Sequence, residues 1–306
     1  MSKEKNFVSF VIYMYNEAKY IKSYLDDLYT FVDKHFDNFE LICVDDASTD
    51  NTVEIVKNYC AKKCPITLVE MGCYQGTELS MNAGVDAAIG DFVFQVDSID
   101  INYEMSIMQE VFEQCTRGVD IVMATPSRNR NWKSTLFYKT YNKLSKSNYK
   151  LQTNAFCILS RRAINRVKSM SNVLPYRKAV YANCGLSIEN YYYKEVNDMV
   201  HRENNRYRVG VAIDAFVLYT NAAYRLASFF TFFMLVLTIG ISAYALIIRV
   251  QGIPIPGWTS MVVILCTSFF GISALISILI KYTELILKTV FLNNKYIVKS
   301  VERIVR

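Results

Sequence analysis

Two stretches of this chain hold no charged residue, Leu226–Ile248 and Thr259–Ile280. Each is about 22 residues long, enough for a helix to cross a hydrocarbon core about 30 Å thick. Between them, Arg249–Trp258 carries Pro254, Pro256 and Gly257 and has room only for a tight turn. The pattern predicts a transmembrane hairpin, which leaves both flanks on one side. Those flanks carry Arg202, Arg206, Arg208, Arg225, Lys281, Lys288, Lys295, Lys299, Arg303 and Arg306, against Arg249 alone in the loop. The positive-inside rule puts both flanks in the cytoplasm. Gly240, Ser242 and Ala243 give the hairpin a small-residue face suited to packing against copies of itself, as a homo-oligomer.

Composition describes two regimes. Of the 306 residues 52% are hydrophobic, and these concentrate after about Phe216. A net charge of +6 suits anionic headgroups and phosphorylated ligands and is too weak to argue for nucleic acid. The eight cysteines are scattered, with Cys60 and Cys64 the one close pair, and no second pair or nearby His completes a zinc site. They read as reduced and mostly buried. Met1–Lys5 is charged and opens no signal peptide.

Upstream, short apolar runs alternate with helical patterns. Phe7–Met14, Phe39–Val44, Ile66–Glu70, Asp91–Val96 and Asp120–Ala124 read as strands. Helices are expected from Glu17 through about Tyr29, after Asn51, over Glu78–Ile89 and over Tyr103–Cys115. This alternation predicts an α/β domain with a mostly parallel sheet and helices on both faces. Three strands end in polar clusters: Tyr15-Asn16-Glu17, Asp45-Asp46 and Asp97-Ser98-Ile99-Asp100. In a parallel sheet such ends converge on one edge, where ligands bind. Taken alone, Ser48 and Asp50 are equally good helix caps. Residues 127–150 form a basic, aromatic-rich stretch, suited to a membrane surface or a phosphate, or equally to a solvated helix face.

Tyr15-Asn16-Glu17, Val44–Asp50, Gly84 to Gly90-Asp91 and the Asp97 segment resemble the family 2 glycosyltransferases. Thr153–Arg161 resembles that group's Thr-Gly-Asp-Phe-Arg segment. Pro256–Ser260 and Lys295–Val298 resemble the hairpin and tail of polyprenyl-phosphate glycosyltransferases, the bactoprenol glucosyltransferases and dolichol-phosphate mannose synthase relatives. The resemblance implies a nucleotide-diphospho-sugar transferase domain of GT-A, Rossmann-like type. It divides the chain into a cytoplasmic glycosyltransferase domain (1–206), an interfacial amphipathic helix (207–225), the transmembrane hairpin (226–281) and a basic tail (282–306). It implies a nucleotide-diphospho-sugar donor held by Tyr15, Glu17, Asp45 and Asp46, with Ser98 alongside. Mg2+ or Mn2+ would sit on Asp97. The acceptor would be a polyprenyl phosphate in the bilayer of a bacterial cytoplasmic (inner) membrane, and the product would serve cell-envelope polysaccharide. Asp97, Asp100 and Arg128 would carry inverting displacement, with Arg130, Arg161 and Arg162 as further cations for the acceptor phosphate and Glu104 as a substitute base.

Four positions depart from the family pattern. Tyr13 stands in place of Pro, Ile99 in place of the second acid of Asp-x-Asp, Ala155 in place of Asp and Cys157 in place of Arg. The departures leave two alternatives open: another acceptor, such as a lipid-linked glycan, or a non-catalytic relative that binds nucleotide sugar.

Overall fold

The computed structural model describes residues 3–60, 64–127, 132–145, 149–170, 176–196, 210–213 and 296–304, with scattered single positions between 229 and 286. The chain divides into two compact units, Met1–Ala212 with Asn293–Arg306, and Ile213–Leu292.

The first unit runs β1 (Glu4–Met14), α1 (Ile21–His35), β2 (Phe36–Asp45), α2 (Thr52–Cys60), β3 (Ile66–Met71), α3 (Thr77–Ala87), β4 (Phe92–Val96), α4 (Ser106–Thr116) and β5 (Ile121–Pro126). It continues with α5 (Trp132–Leu144), β6 (Phe156–Ser160), α6 (Arg161–Met170), α7 (Arg177–Asn183), β7 (Ile188–Tyr193) and β8 (Val298–Ile304). One eight-stranded sheet results, in the order β7-β5-β6-β4-β1-β2-β3-β8. β1 pairs in parallel with β2 and β4, β2 with β3, and β5 with β7, whereas β6 and β8 run antiparallel to their neighbours. The carboxyl ends of β1, β2, β3, β4, β5 and β7 therefore share one edge. Thr153–Ala155, leading into the reversed β6, arrives at that same edge.

Side-chain alternation along β1 builds two cores. Phe10, Ile12 and Met14 join Leu25, Leu28, Val56 and Met108 from α1, α2 and α4. Val11 faces the other way, against α3. There Gly84 brings the helix against the sheet: a Cβ on it would lie 2.3 Å from Val11 Cγ1 and 2.5 Å from Val44 Cγ2. Both neighbours are stiff, β-branched residues buried in the sheet. Gly84→Val is expected to cost about 3 kcal/mol by overpacking, read as a fall in Tm in thermal unfolding of the full-length protein. An unchanged Tm would show that α3 can lift off the sheet without penalty.

The five strands expected from sequence are all present within a few residues, and helices cover both faces. The segment after Asn293 is more than a basic tail. β8 pairs antiparallel with β3, and Lys299 bonds Glu70 at 3.2 Å, beside Lys57 at 2.9 Å. An edge strand with charged outward residues closes the sheet against further pairing. Among the described residues of the basic stretch 127–150, α5 is helical, and its Tyr141 is fully buried. Of the expected interfacial helix 207–225, residues 210–213 are described, and they are helical. Most of the expected hairpin lies outside the described residues. Among the described residues no helix is long and apolar enough to cross a membrane.

Candidate active site

At the shared edge, the loops after β1 and β2 are tied together. Asn16 turns through a left-handed conformation (φ 56°), as does Ala47 (φ 59°). The Asn16 N–H donates to Ser48 Oγ at 2.9 Å, and Asn16 Oδ1 accepts from the Thr49 N–H at 2.8 Å. The Glu17 N–H donates to Thr52 Oγ1 at 2.8 Å, while the Glu17 carbonyl accepts from the N–H groups of Tyr20 and Ile21, starting α1. Asp50 accepts from the N–H groups of Ala18 at 3.1 Å and Thr52 at 3.0 Å. Burial pushes the Asp50 carboxyl upward, but these hydrogen bonds outweigh it and hold the group below its usual range. Asp50 thus caps the start of α2, as expected, whereas Ser48 Oγ ties the loops after β1 and β2 together and caps no helix among the described residues.

The two adjacent acids have opposite fates. Asp46 is fully buried. Its carboxylate accepts from Tyr13 Oη at 3.0 Å and from the N–H groups of Gln75 at 2.8 Å and Gly76 at 2.7 Å. Asp46, expected to hold the donor, pins the β3–α3 loop through these bonds. The same contact accounts for Tyr13, which stands in place of Pro. Burial first, then the Asp46 charge, drives the Tyr13 hydroxyl well above its ordinary pKa, so it remains a donor. Asp45 has one engaged oxygen, Oδ2, which accepts from the Ser48 N–H at 3.1 Å. Its Oδ1 is buried with no partner. Burial raises the Asp45 carboxyl above its usual range, the Ser48 bonds pull it partly back, and Glu70 and Asp46 add repulsion. A buried acceptor without a donor is a costly feature that a ligand N–H or O–H would relieve. At the same edge the rings of Tyr15 and Tyr74 lie 4.7 Å apart, Tyr15 half-buried and Tyr74 exposed.

The β3–α3 loop is held from a second side. Ile297, just before β8, accepts from the Gly72 N–H at 2.9 Å and from Gln75 Nε2 at 2.7 Å. The Ile297 N–H donates to Gln75 Oε1 at 2.9 Å. Tyr296 Oη donates to Asp86 at 2.7 Å. The segment returning from the second unit therefore grips the loop that Asp46 pins.

Asp97 follows β4, half-buried, and its Oδ1 accepts from Arg177 Nη2 at 2.7 Å. Arg177 opens α7 and is 2% exposed. Its Nε donates to Glu78 Oε2 at 2.9 Å, its backbone N–H to the same oxygen at 3.0 Å, and its Nη1 to Gln95 Oε1 at 2.7 Å. Gln95 Oε1 also accepts from Tyr181 Oη at 3.0 Å and, more distantly, from Cys157 Sγ at 3.8 Å. Burial opposes the Arg177 charge, but Asp97 and Glu78 outweigh it and hold the guanidinium protonated more firmly than usual. Lys178 responds likewise: burial lowers its pKa, and Tyr138, Asp97 and Glu78 raise it further.

This arrangement does not fit a divalent cation on Asp97. One carboxylate oxygen is taken by a guanidinium. Ile99, where a second acid would stand, is buried among apolar groups, and Ala155 offers no oxygen. Among the described residues no cluster of three or more His, Cys, Asp or Glu could hold a metal ion. In nucleotide sites Mg2+ takes one or two carboxylates and draws its other ligands from phosphate and water, so it is the Arg177 guanidinium against Asp97, not the number of acids, that opposes the ion here. Ser98 makes the turn after Asp97, its Oγ accepting from the Asp100 N–H at 3.2 Å. Glu104 lies exposed two turns on.

Two of the cations expected for an acceptor phosphate are elsewhere. β6 runs antiparallel, so its carboxyl end lies at the opposite sheet edge. There Arg161 donates to the carbonyls of Ala88 and Gly90, and Arg162 pairs with Asp120 at 2.6 Å. Arg128 and Arg130 lie outside the described residues. Sequence reading missed Tyr13, Gln75, Glu78, Gln95 and Arg177 as site residues. The Arg177-Lys178 pair after Pro175-Tyr176 was the one local signal.

The model of the family described as Glycosyl transferase family 2 matches residues 9–169. The SfII prophage-derived bactoprenol glucosyl transferase of Shigella flexneri is 23% identical over 307 residues, covering 97% of this chain and 98% of that protein. An uncharacterized glycosyltransferase of Synechocystis sp. is 26% identical over 184 residues, 58% of this chain, and the chain spans only 58% of that protein. Among solved structures, a mannosyltransferase of Pyrobaculum calidifontis in complex with GDP-Man and Mn2+ shares the fold, with a TM-score of 0.53 at 19% identity, covering 71% of this chain and 63% of that one.

Proposed function

The chain belongs to glycosyl transferase family 2, with that family's α/β GT-A fold, and from this premise we propose that it transfers a sugar from a nucleotide-diphospho-sugar to undecaprenyl phosphate at a membrane. The observation that carries the donor half is Asp45, a buried carboxylate with one unpartnered oxygen at the edge where six strands end. A base or ribose donor group suits that oxygen, and Tyr15 and Tyr74 suit the flat face of a base. Asp97, less buried and at the same edge, is the acid proposed to lie nearest the diphosphate.

Support for the lipid half is of two kinds. The Shigella relative that spans nearly the whole chain is named for bactoprenol. In the second unit, Phe232, Met261 and Leu279 are helical and are 65%, 69% and 67% exposed, an apolar surface that hydrocarbon would cover. The two uncharged runs are then the spans of a hairpin, and the first unit lies on the side of the basic flanks.

In this reading an oxygen of the acceptor phosphate attacks the anomeric carbon as the bond from that carbon to the diphosphate oxygen breaks. Configuration inverts, and a nucleoside diphosphate leaves. The phosphate is largely ionised near neutral pH, its second pKa being about 6, so positioning matters more than a general base. Arg128 and Lys178 are the cations proposed to steer it, and Asp100 would serve as base only for a hydroxyl acceptor.

The test is transfer from a panel of radiolabelled nucleotide sugars to undecaprenyl phosphate in membranes. A labelled, solvent-extractable lipid is expected. Nucleotide binding without any lipid product would favour the second reading, a different acceptor such as a lipid-linked glycan. Ala155 and Cys157, both in the segment expected to meet the acceptor, are the reason to keep it.

Asp45→Asn provides a sharper check on the donor half. It is expected to weaken nucleotide binding about tenfold, a loss of roughly 1.4 kcal/mol. Stability should hold or rise. The Asp45 carboxyl pKa is raised by folding, so its ionised form costs stability above that pKa, and an amide removes the cost. Weakened binding together with a large fall in Tm would instead make Asp45 a structural residue.

A further inference from the structure

The family pattern and this chain differ in charge as well as in sequence. Two acids are absent, at Ile99 and Ala155, and one cation is absent, at Cys157. One cation is present that the pattern does not describe. Arg177 lies buried behind Asp97 and bonds three acceptors at once: Asp97 at 2.7 Å, Glu78 at 2.9 Å and Gln95 at 2.7 Å. Gln95 Oε1 also accepts from the Cys157 thiol, at 3.8 Å. The guanidinium therefore reaches the neighbourhood of position 157 from α7.

We propose that Arg177 takes the place of the divalent cation in this site. It neutralises Asp97 and Glu78 from within the protein, and the donor's diphosphate binds the sheet edge without a metal ion. The inference rests on the donor reading above. In that reading Asp97 would repel a diphosphate bound at this edge; the Pyrobaculum enzyme was solved with both GDP-Man and Mn2+. Here the charge is already balanced, since Asp97 and Glu78 stand against Arg177 and Lys178. A divalent ion on either oxygen of Asp97 would also lie within a few ångström of the guanidinium, and like charges that close repel strongly in a half-buried site. Arg177, with almost no exposure, touches no substrate. It is a positioning residue that acts through Asp97.

The metal dependence of nucleotide binding tests this in full-length protein in detergent micelles. The probes are UDP, GDP, ADP, CDP and dTDP, titrated calorimetrically with EDTA or with Mn2+. At least one is expected to bind with Kd values within about threefold of each other in the two conditions, fractions of a kcal/mol. Tightening of tenfold or more by Mn2+ would overturn the proposal while leaving the donor reading intact. Failure of every nucleotide in both conditions would overturn both. Asp97→Asn separates the roles again, because an amide oxygen still accepts from Arg177 but is a poor ligand for Mn2+. Binding in the variant should stay within about threefold of the parent or tighten, with or without Mn2+. A loss confined to the Mn2+ condition would restore the metal to Asp97. Arg177→Gln, where it folds, should lose binding in EDTA and regain it with Mn2+, a rescue that a purely structural arginine would not show.

Discussion

Replacing Arg177 with methionine is expected to destabilise the α/β unit by about 3–5 kcal/mol, the usual cost of stranding a buried charge by removing its partner. Met fits the space but supplies no hydrogen bond. Glu78, 8% exposed, would lose the Arg177 guanidinium and keep the bond from the backbone N–H of residue 177. Gln95 Oε1 would lose its strongest donor and Asp97 its anchor. Chemical denaturation of the full-length protein measures the effect. The double variant Glu78→Gln/Arg177→Met should recover a large part of it, since a neutral amide needs no countercharge, and the recovery gives the coupling of the pair directly. A loss below about 1 kcal/mol in the single variant would mean that water or Lys178 compensates freely, and the cluster would not be the rigid unit the distances describe. Arg177→Lys should fall between, because a single ammonium cannot reproduce a fork that meets three acceptors.

What the sequence made legible, and what it did not, follows from the range of the interactions involved. Strands β1 to β5 announce themselves as apolar runs punctuated by turn and cap residues, a local signal, and their parallel arrangement follows from the helices between them. The convergence of Tyr15, Asp45 and Asp97 on one edge came from that arrangement alone. β6 is a short apolar run, Phe156–Ser160, whose direction no local feature records. Its reversal carries Arg161 and Arg162 to the far edge, away from any acceptor. β8 reads as a basic tail because Lys299 and Arg303 stand among its exposed positions; only the open edge of β3 makes it a strand. The choice between Asp45 and Asp46 was equally hidden. Adjacent side chains at a strand end point opposite ways, and which one meets the β3–α3 loop depends on a register set far from both. Arg177 and Glu78 are 99 positions apart and meet through the packing of α7 near α3. No pattern within either helix encodes that contact.

Asp46→Ala is expected to cost both stability and donor binding, and the joint loss is what separates it from its neighbour. Three donors converge on this carboxylate: Tyr13 Oη at 3.0 Å, Gln75 N–H at 2.8 Å and Gly76 N–H at 2.7 Å. Bonds to a charged acceptor contribute about 1.5–3 kcal/mol each and do not simply add, so a total near 4 kcal/mol is expected. For a domain of this size that corresponds to a fall in Tm of about 8–16 °C. The consequence for binding runs through the loop. Gly76 sits at φ 83°, a conformation the carboxylate helps to hold, and the loop's other support is the backbone of Ile297. Freed on one side, residues 72–76 would carry Tyr74 away from Tyr15, and the aromatic wall of the nucleotide site would open. Hydrogen exchange reads this directly: the Gln75 and Gly76 amides should lose protection far beyond the global loss of stability, while the Gly72 amide, bonded to Ile297, should lose less. Tyr13→Phe should reproduce about 1.5–3 kcal/mol of the effect with the loop still pinned by its two amides. Asp46→Ala binding nucleotide as the parent does would remove the loop from the site. Asp45→Asn gives the opposite profile, weak binding on a stable fold. Two adjacent carboxylates would then be divided by measurement into one that holds the protein and one that holds its ligand.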